Sequence, residues 1–246
     1  MGWIKPLFVL DQAESNILCF HFAGGSASAF LKIFDAAPER MSVYSVQLPG
    51  REERFCDPSE ESYERVVDNI IREWREMSFL PFQFYGYSLG AIIAYEAAKK
   101  ISTITNENSL FSLTVSGSRA PSLRGKRKTL VDYPHDVLFD NWKVLGGVPE
   151  EIKNNESASA IFFDIFLKDL ILLKNYSCEL VQPLDVAVTS FCGDGDSEVY
   201  ACESEAWSEV TSGDFFHKML SGNHFFIYDH RQRVVDHLTE SAKKYI

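Results

Sequence analysis

The sequence predicts an α/β fold, with a mostly parallel central sheet flanked by helices. Short runs rich in apolar and aromatic residues alternate with longer amphipathic segments along most of the chain, which is the pattern of strands joined by helical crossovers. Several short runs are apolar almost throughout, as strands buried on both faces are. The 246 residues contain no internal repeat and no low-complexity linker, so we expect a single domain over residues 1–246.

The expected strands and helices alternate in order along the chain. Strands are predicted at Ile17–Phe22, Ser42–Leu48, Phe82–Tyr85, Leu110–Ser116, Asp185–Phe191 and Phe215–Leu220. Helices are predicted at Glu61–Met77, Leu89–Ile101 and Phe225–Tyr245, where apolar residues recur at helical spacing. Each helix follows a strand, and right-handed crossovers place such helices on both faces of the sheet.

One segment, residues 119–176, interrupts this alternation because it has no convincing strand pattern. Asp136–Leu145 and Ser157–Asn175 have helical patterns, and the second is unusually apolar. These helices either belong to the ordinary core or form a lid inserted between two strands, over the C-terminal edge of the sheet. We favour an inserted helical lid over 119–176, because helices this apolar need a second surface to cover.

Composition and charge argue against several classes of protein. A formal net charge of −11 is unfavourable for a general nucleic-acid binder, which needs a basic face. No run approaches the roughly 18 apolar residues of a membrane span. The first residues lack the apolar core and cleavage site of a signal peptide, so we expect a cytoplasmic protein. The five cysteines form no CxxC pair, which favours free thiols and no metal site.

The segment GYSLG, residues 86–90, fits the G-x-S-x-G pattern of a nucleophile elbow, with Ser88 as the nucleophile. The pattern alone is a weak signal. Here it directly follows an expected strand and precedes an expected helix, as the elbow requires. Such a turn strains the serine backbone and brings neighbouring backbones together, so glycines are needed on both sides. The alternative is that Ser88 only caps the helix.

A serine nucleophile needs a base, and in this kind of site the chain order is serine, acid, histidine. His224 follows an expected strand in a turn, SGNH, from which a base can reach Ser88. The acid is expected after the preceding strand, in FCGDGD, where Asp196 is favoured and Asp194 is the alternative. Either aspartate can instead be a simple turn residue. The other downstream histidines are expected at a helix start, in a strand or in a solvated helix: His135, His217, His230 and His237.

The run CFHFAGGS, residues 19–26, is an expected strand that leads into a glycine-rich loop. Neither G-x-G-x-x-G nor a P-loop lysine follows, so a phosphate cradle is disfavoured. The better interpretation is one half of an oxyanion hole, in which the backbone N–H of Ala23 pairs with that of Leu89, the residue after the nucleophile. His21 is expected to be structural.

These segments resemble the type II thioesterases, the external editing enzymes of non-ribosomal peptide and polyketide synthetases, which have the α/β-hydrolase fold. The similar segments extend over nearly the whole chain: HFAGGSASAF, VQLPGREER, PFQFYGYSLGAIIAYEAA, SGSRAP, LGGVPEE, FCGDGD and GNHFF. At the matching positions the resemblance implies a catalytic triad of Ser88, Asp196 and His224. It also implies Ala23 and Leu89 as oxyanion donors, and a helical lid over the site.

The resemblance further implies a substrate and a partner. The family hydrolyses acyl thioesters carried on the phosphopantetheine arms of acyl carrier or peptidyl carrier domains, which removes stalled or aberrant acyl groups. No cofactor or metal is implied for the enzyme itself, and a monomer is the default expectation. The main difference is Tyr87, where many members have histidine; we expect this side chain to point away from the reacting centre, with little consequence. A carboxylesterase or acyltransferase of the same fold, or a non-catalytic binding protein, remain alternatives.

Two groups of charged residues have open interpretations. The basic residues Arg119, Arg124, Lys126, Arg127 and Lys128 cluster at the start of the expected lid. They form either a solvated loop or a patch that meets the acidic surface or arm phosphate of a carrier protein. Arg51 and Glu52 in PGREER either shape the pocket mouth or form a structural ion pair, which we favour.

Overall fold

The computed structural model describes residues 2–77, 80–104, 110–125, 128, 130–178 and 180–245. These residues form a seven-stranded sheet with the strand order β1-β3-β2-β4-β5-β6-β7. The strands are β1 (Ile4–Phe8), β2 (Ser15–Phe20), β3 (Met41–Val46), β4 (Phe82–Tyr87), β5 (Leu110–Ser116), β6 (Ala187–Gly193) and β7 (Phe215–Leu220). β1 pairs antiparallel with β3, and all other neighbours pair parallel. The predicted mostly parallel sheet is therefore confirmed, and β5 and β7 have the predicted bounds.

The edge strand β1 was not predicted from the sequence. Its segment IKPLF contains Pro6, and proline argues against a strand because it cannot donate to a ladder. β1 lies at the edge of the sheet and pairs only with β3 among the described strands. A proline is tolerated in this position because only one side of the strand has a partner.

Helices follow the strands as predicted, with shifted ends. They are α1 (Tyr63–Trp74), α2 (Leu89–Ile104), α3 (His135–Val144), α4 (Glu150–Lys153), α5 (Glu156–Asn175), α6 (Ala201–Glu205) and α7 (Arg231–Lys243). The C-terminal helix begins at Arg231 rather than Phe225, because a 3₁₀ turn, Phe226–Tyr228, comes first. No helix in the described ranges is long and apolar enough to cross a membrane.

The core lies on both faces of the sheet. Alternate residues of a strand point to opposite faces: Phe84 packs in the cluster beneath α1 and α2, while its neighbour Tyr85 packs in the cluster that includes the apolar side of α7. Both side chains are fully buried. Burial on both faces explains why the central strands are apolar almost throughout. These buried strands support the loops that carry the site.

The helices α3, α4 and α5 follow β5 and precede β6, so they lie within the segment predicted as a lid. They have their own apolar cluster, formed by Leu138, Trp142, Phe163, Phe166 and Leu170. The side chain of Ala23, from the glycine-rich loop, packs against this cluster. The helices therefore cover the loop expected to form the oxyanion hole. Their role as a lid, and the division into domains, stay predictions.

Candidate active site

Ser88 lies at a sharp turn between β4 and α2, with a backbone φ of +54°. Such a left-handed conformation is costly for a residue with a side chain and is concentrated at functional sites. Glycines are required on both sides. A Cβ at Gly86 would lie 2.5 Å from Cα of Ala91, and a Cβ at Gly90 would lie 2.7 Å from the carbonyl oxygen of His21. The local geometry is that of the predicted elbow.

The side chains of Ser88, His224 and Asp196 form one hydrogen-bonded series. Nε2 of His224 lies 3.2 Å from Oγ of Ser88, and Nδ1 of His224 lies 2.9 Å from Oδ2 of Asp196. Because a carboxylate only accepts, Nδ1 carries the proton and Nε2 is left to accept the serine proton. The histidine is therefore in the tautomer that a general base requires. The catalytic roles of the three residues stay predictions.

The two candidate acids occupy different environments. The side chain of Asp196 is fully buried, and its second oxygen accepts from the backbone N–H groups of Glu198 and Val199 at 2.8 and 3.2 Å. Asp194 is exposed and accepts from the N–H of Gly222 at 2.9 Å. Asp196 therefore contacts the imidazole itself, while Asp194 contacts the loop that carries it.

The glycine-rich loop, residues 22–26, lies beside the elbow. Gly90 allows the first turn of α2 to pass against the end of β2, where a Cβ would collide with backbone oxygens of Phe20 and His21. Ala23 lines the same pocket as Ser88 and His224. Leu89 is the first residue of α2, and the first N–H groups of a helix have no partner within it. The two predicted oxyanion donors therefore belong to adjoining elements, and their role stays a prediction.

The pocket above Ser88 is lined mainly by apolar side chains, several of them from the helices α3 and α5. Leu145, Phe166 and Leu170 line it from α5 and the end of α3. Arg119 and Arg124 also line it. A second, neighbouring pocket on the other side of Phe22 and Phe225 extends toward Trp142, Ile152 and Phe162. Both pockets are lined in part by Ala23.

This position of the arginines changes the interpretation of the basic cluster. Arg119 is buried and pairs with Glu203 at 3.5 Å, and Nη2 of Arg124 donates to Oγ of Ser118 at 2.9 Å. Neither belongs to an exposed patch, because both face the interior. Lys128 is exposed, whereas Lys126 and Arg127 lie outside the described residues. The binding of a carrier protein by this cluster, through its acidic surface or its arm phosphate, stays a prediction.

Arg51 and Glu52 do not pair with each other, so that prediction is wrong. The buried guanidinium of Arg51 binds both carboxylate oxygens of Asp169 on α5, at 2.6 and 2.7 Å. Glu52 instead pairs with Lys5 at 3.1 Å. Residue 52 has a φ of +46°, and this turn separates the two neighbouring side chains. Asp169 was not singled out from the sequence.

The expectation that Tyr87 points away from the reacting centre is also wrong, while its effect on function is tested by no observation. Its ring packs against His224, and its hydroxyl donates to the backbone carbonyl of His224. The residue before the nucleophile therefore contacts the candidate base.

Among the other histidines, His217 lies in β7 as expected and bonds to Ser190 at 2.9 Å, while His237 is partly buried against Phe191 rather than solvated.

Fold and site together define the class of protein. A strained serine between a strand and a helix, hydrogen-bonded to a histidine and then an aspartate at the edge of a mostly parallel sheet, is the arrangement of the α/β-type serine hydrolases. Residues 15–242 match the thioesterase domain family. The chain belongs to this family.

Individual relatives are similar to this chain over nearly its whole length. The gramicidin S biosynthesis protein GrsT of Aneurinibacillus migulanus is 28% identical over 241 residues, which covers 98% of this chain and 94% of that protein. The solved structure of the type II thioesterase BorB, from the borrelidin biosynthetic cluster, is 26% identical with a TM-score of 0.86, covering 97% of each chain. The RedJ thioesterase from the prodiginine pathway of Streptomyces coelicolor is 30% identical with a TM-score of 0.79, covering 93% of this chain and 86% of that one. The resemblance to type II thioesterases and the α/β-hydrolase fold are confirmed.

Proposed function

We propose that this thioesterase hydrolyses acyl thioesters on the phosphopantetheine arms of acyl carrier or peptidyl carrier domains, removing stalled or aberrant acyl groups. The observation that carries the proposal is the hydrogen-bonded series from Ser88 through His224 to Asp196. The likeness to GrsT and BorB supports the biosynthetic setting. The pocket above Ser88 supports an acyl substrate, because its walls are largely apolar.

The proposed reaction begins with the hydroxyl of Ser88, which attacks the thioester carbonyl as Nε2 of His224 takes its proton. The carbonyl oxygen becomes negative and accepts hydrogen bonds from the backbone amides of Ala23 and Leu89. Asp196 stabilises the imidazolium and keeps its proton at Nδ1. Collapse of the tetrahedral intermediate breaks the carbon–sulfur bond, and the imidazolium gives its proton to the leaving thiolate.

The acyl group is then bound to Ser88 as an ester. Water replaces the departed thiol, His224 takes a proton from this water, and the resulting hydroxide attacks the ester carbonyl. Breakdown of the second intermediate returns the proton to Oγ of Ser88 and releases the free acid. No cofactor or metal is needed for any of these steps.

The test uses carrier proteins loaded with a series of acyl groups on their phosphopantetheine arms. Intact-protein mass spectrometry before and after incubation measures the loss of each acyl group. The wild-type protein is expected to restore the free arm, and Ser88→Ala or His224→Ala to lower the rate by about 10⁴-fold or more. A fluorophosphonate probe is expected to label the wild type but not Ser88→Ala.

The alternatives give different results in the same assay. An esterase would hydrolyse oxygen esters faster than the matched pantetheine thioesters, and an acyltransferase would give an ester product when an alcohol is added. A non-catalytic binding protein would leave every carrier loaded and Ser88 unlabelled. Any of these three results would count against the proposed hydrolysis of carrier-bound thioesters.

A further inference from the structure

Ala23, the expected oxyanion donor, has its N–H direction fixed by the peptide group it shares with Phe22. The carbonyl of Phe22 accepts from the backbone N–H of Gly25 and from Nδ1 of His21, each at 2.9 Å. Because a peptide group is planar and trans, fixing this carbonyl also fixes the N–H of Ala23 on its opposite side. Burial, and next the charge of Arg51, lower the pKa of His21 to about 4, so the ring is a neutral donor at neutral pH.

The next peptide group is held by a residue far away in the sequence. The N–H of Gly24 donates to Oδ2 of Asp169 at 2.7 Å. Arg51 binds both oxygens of the same carboxylate and also donates from Nη1 to the carbonyl of Gly25 at 2.9 Å. Both peptide groups that flank Ala23 are therefore tied down, the second by an aspartate on the covering helix α5.

The contact between the glycine-rich loop and α5 is close as well as polar. Gly24 has a φ of +76°, and a Cβ on it would lie 3.1 Å from Cβ of Phe166 on α5. Arg51 and Asp169 are each about 95% buried, at 5% and 3% exposure. Removing two charges from water costs free energy. The hydrogen bonds that this ion pair makes to the glycine-rich loop help to compensate that cost.

We propose that Asp169 is a positioning residue for the reaction, which together with Arg51 sets the Ala23 amide and makes the oxyanion hole depend on helix α5. An oxyanion donor acts only when it is aimed at the position that the negative oxygen will occupy. If α5 moves away from the sheet, Gly24 and Arg51 lose their shared acceptor and the loop is free to turn its amides. Hydrolysis would thus be confined to the state in which α5 is seated. The inference rests on the proposed function, since an oxyanion hole matters only when Ser88 attacks a carbonyl.

The first variant is Asp169→Asn, which keeps the shape of the side chain. Oδ2 of Asp169 accepts from the N–H of Gly24 and from Nη1 of Arg51, and Oδ1 accepts from Nη2 of Arg51. The amide nitrogen of asparagine is a donor, so it would face a donor of Arg51 at either position and disturb the arrangement that holds Gly24. We expect kcat to fall by about 10²-fold with KM little changed, because an oxyanion donor acts in the transition state. The affinity for a boronic acid that forms a tetrahedral adduct with Ser88 should fall by a similar factor. The matched control is Asp164→Asn on the exposed side of α5, where Asp164 pairs with Lys168; both quantities should keep their wild-type values.

A second variant separates positioning from stability. Arg51→Met combined with Asp169→Leu replaces the buried pair with apolar side chains of similar volume, a change that commonly restores stability. It still offers no acceptor to the N–H of Gly24. We expect its melting temperature to return toward the wild-type value, above that of Asp169→Asn, while kcat stays about 10²-fold low.

A double variant that recovers both stability and kcat would show that the pair is only structural and would overturn the inference. Wild-type kcat and boronate affinity in Asp169→Asn would overturn it as well. A wild-type protein that binds the boronate but hydrolyses no thioester would count against the proposed function alone. In that case the boronate affinities of the variants still test whether Asp169 and Arg51 position the Ala23 amide.

Discussion

The ring of Tyr87 stacks on the imidazole of His224, with centroids 5.9 Å apart and an interplanar angle of 24°. The Tyr87 hydroxyl also donates to the backbone carbonyl of His224. Burial raises the pKa of Tyr87 well above its ordinary value, so the phenol stays a neutral donor. The residue before the candidate nucleophile thus holds the loop that carries the candidate base.

We predict that Tyr87→Phe lowers kcat by up to about tenfold, because small displacements of a catalytic group are costly. The ring contact is kept, and only the hydrogen bond to His224 is lost. The free energy of unfolding should fall by about 1 kcal/mol, the usual value of one hydrogen bond. Steady-state kinetics and urea unfolding measure the two effects. Tyr245→Phe is the control, since Tyr245 stacks on Phe111, and a wild-type kcat in Tyr87→Phe would refute this role.

A second prediction separates the two aspartates of the GDGD turn. Asp196→Asn should lower kcat by about 10⁴-fold, because an amide in place of the carboxylate favours the wrong tautomer of His224. Asp194→Asn should change kcat far less, since its partner is the backbone N–H of Gly222. Kinetics of the two variants at the same pH give the comparison. Equal losses in both would mean that the acid is wrongly assigned.

The fold and the central part of the site could be predicted from the sequence because their signals are local. Buried parallel strands appear as short apolar runs, and the elbow is a five-residue pattern in a strand–helix context. The order of serine, acid and histidine then restricts the partners. Asp196 and Asp194 could not be separated from the sequence, because both follow the same strand, and the burial and hydrogen-bond partners that distinguish them arise only in the folded chain.

The missed features depend on contacts between distant segments. Arg51 and Asp169 are 118 positions apart, and no local pattern joins them. One signal was available in the sequence. Asp169 is an acidic residue within the apolar part of α5, and a charge that is buried there requires a partner. The contact of Tyr87 with His224 was missed because it joins β4 to a loop 137 positions further along the chain, and no local pattern indicates it.

A third prediction concerns the close approach of the elbow to β2. Gly90→Ala should leave little folded protein, because its Cβ would collide with backbone oxygens of Phe20 and His21 and the backbone cannot yield as a flexible side chain can. Gly125→Ala is the matched control. Its Cβ would meet nothing within 4 Å, and its φ of +77° gives a strain of about 1 kcal/mol. Soluble yield and thermal unfolding measure both, and a stable Gly90→Ala protein would contradict the close packing.

The last prediction concerns the pH dependence of stability, through His21 and His237. Burial lowers the pKa of each from 6.5 to about 4, with further lowering of the His21 value by Arg51 and of the His237 value by Lys218 and Lys244. Between these pH values the unfolded chain binds protons that the folded chain does not, so the free energy of unfolding falls as the pH is lowered from 6.5 to 4. Each histidine should contribute a slope of about 1.4 kcal/mol per pH unit within this window and nothing above it.

Urea unfolding of the wild type and of His237→Gln, at intervals from pH 7.5 to 4.5, measures the contribution of His237. The carboxylates that also titrate at low pH are the same in both proteins, so the difference between the two curves isolates this histidine. The variant should show a shallower loss of stability below pH 6.5 and an unchanged dependence above it. Parallel curves over the whole range would mean that His237 is protonated as easily in the folded protein as in the unfolded chain.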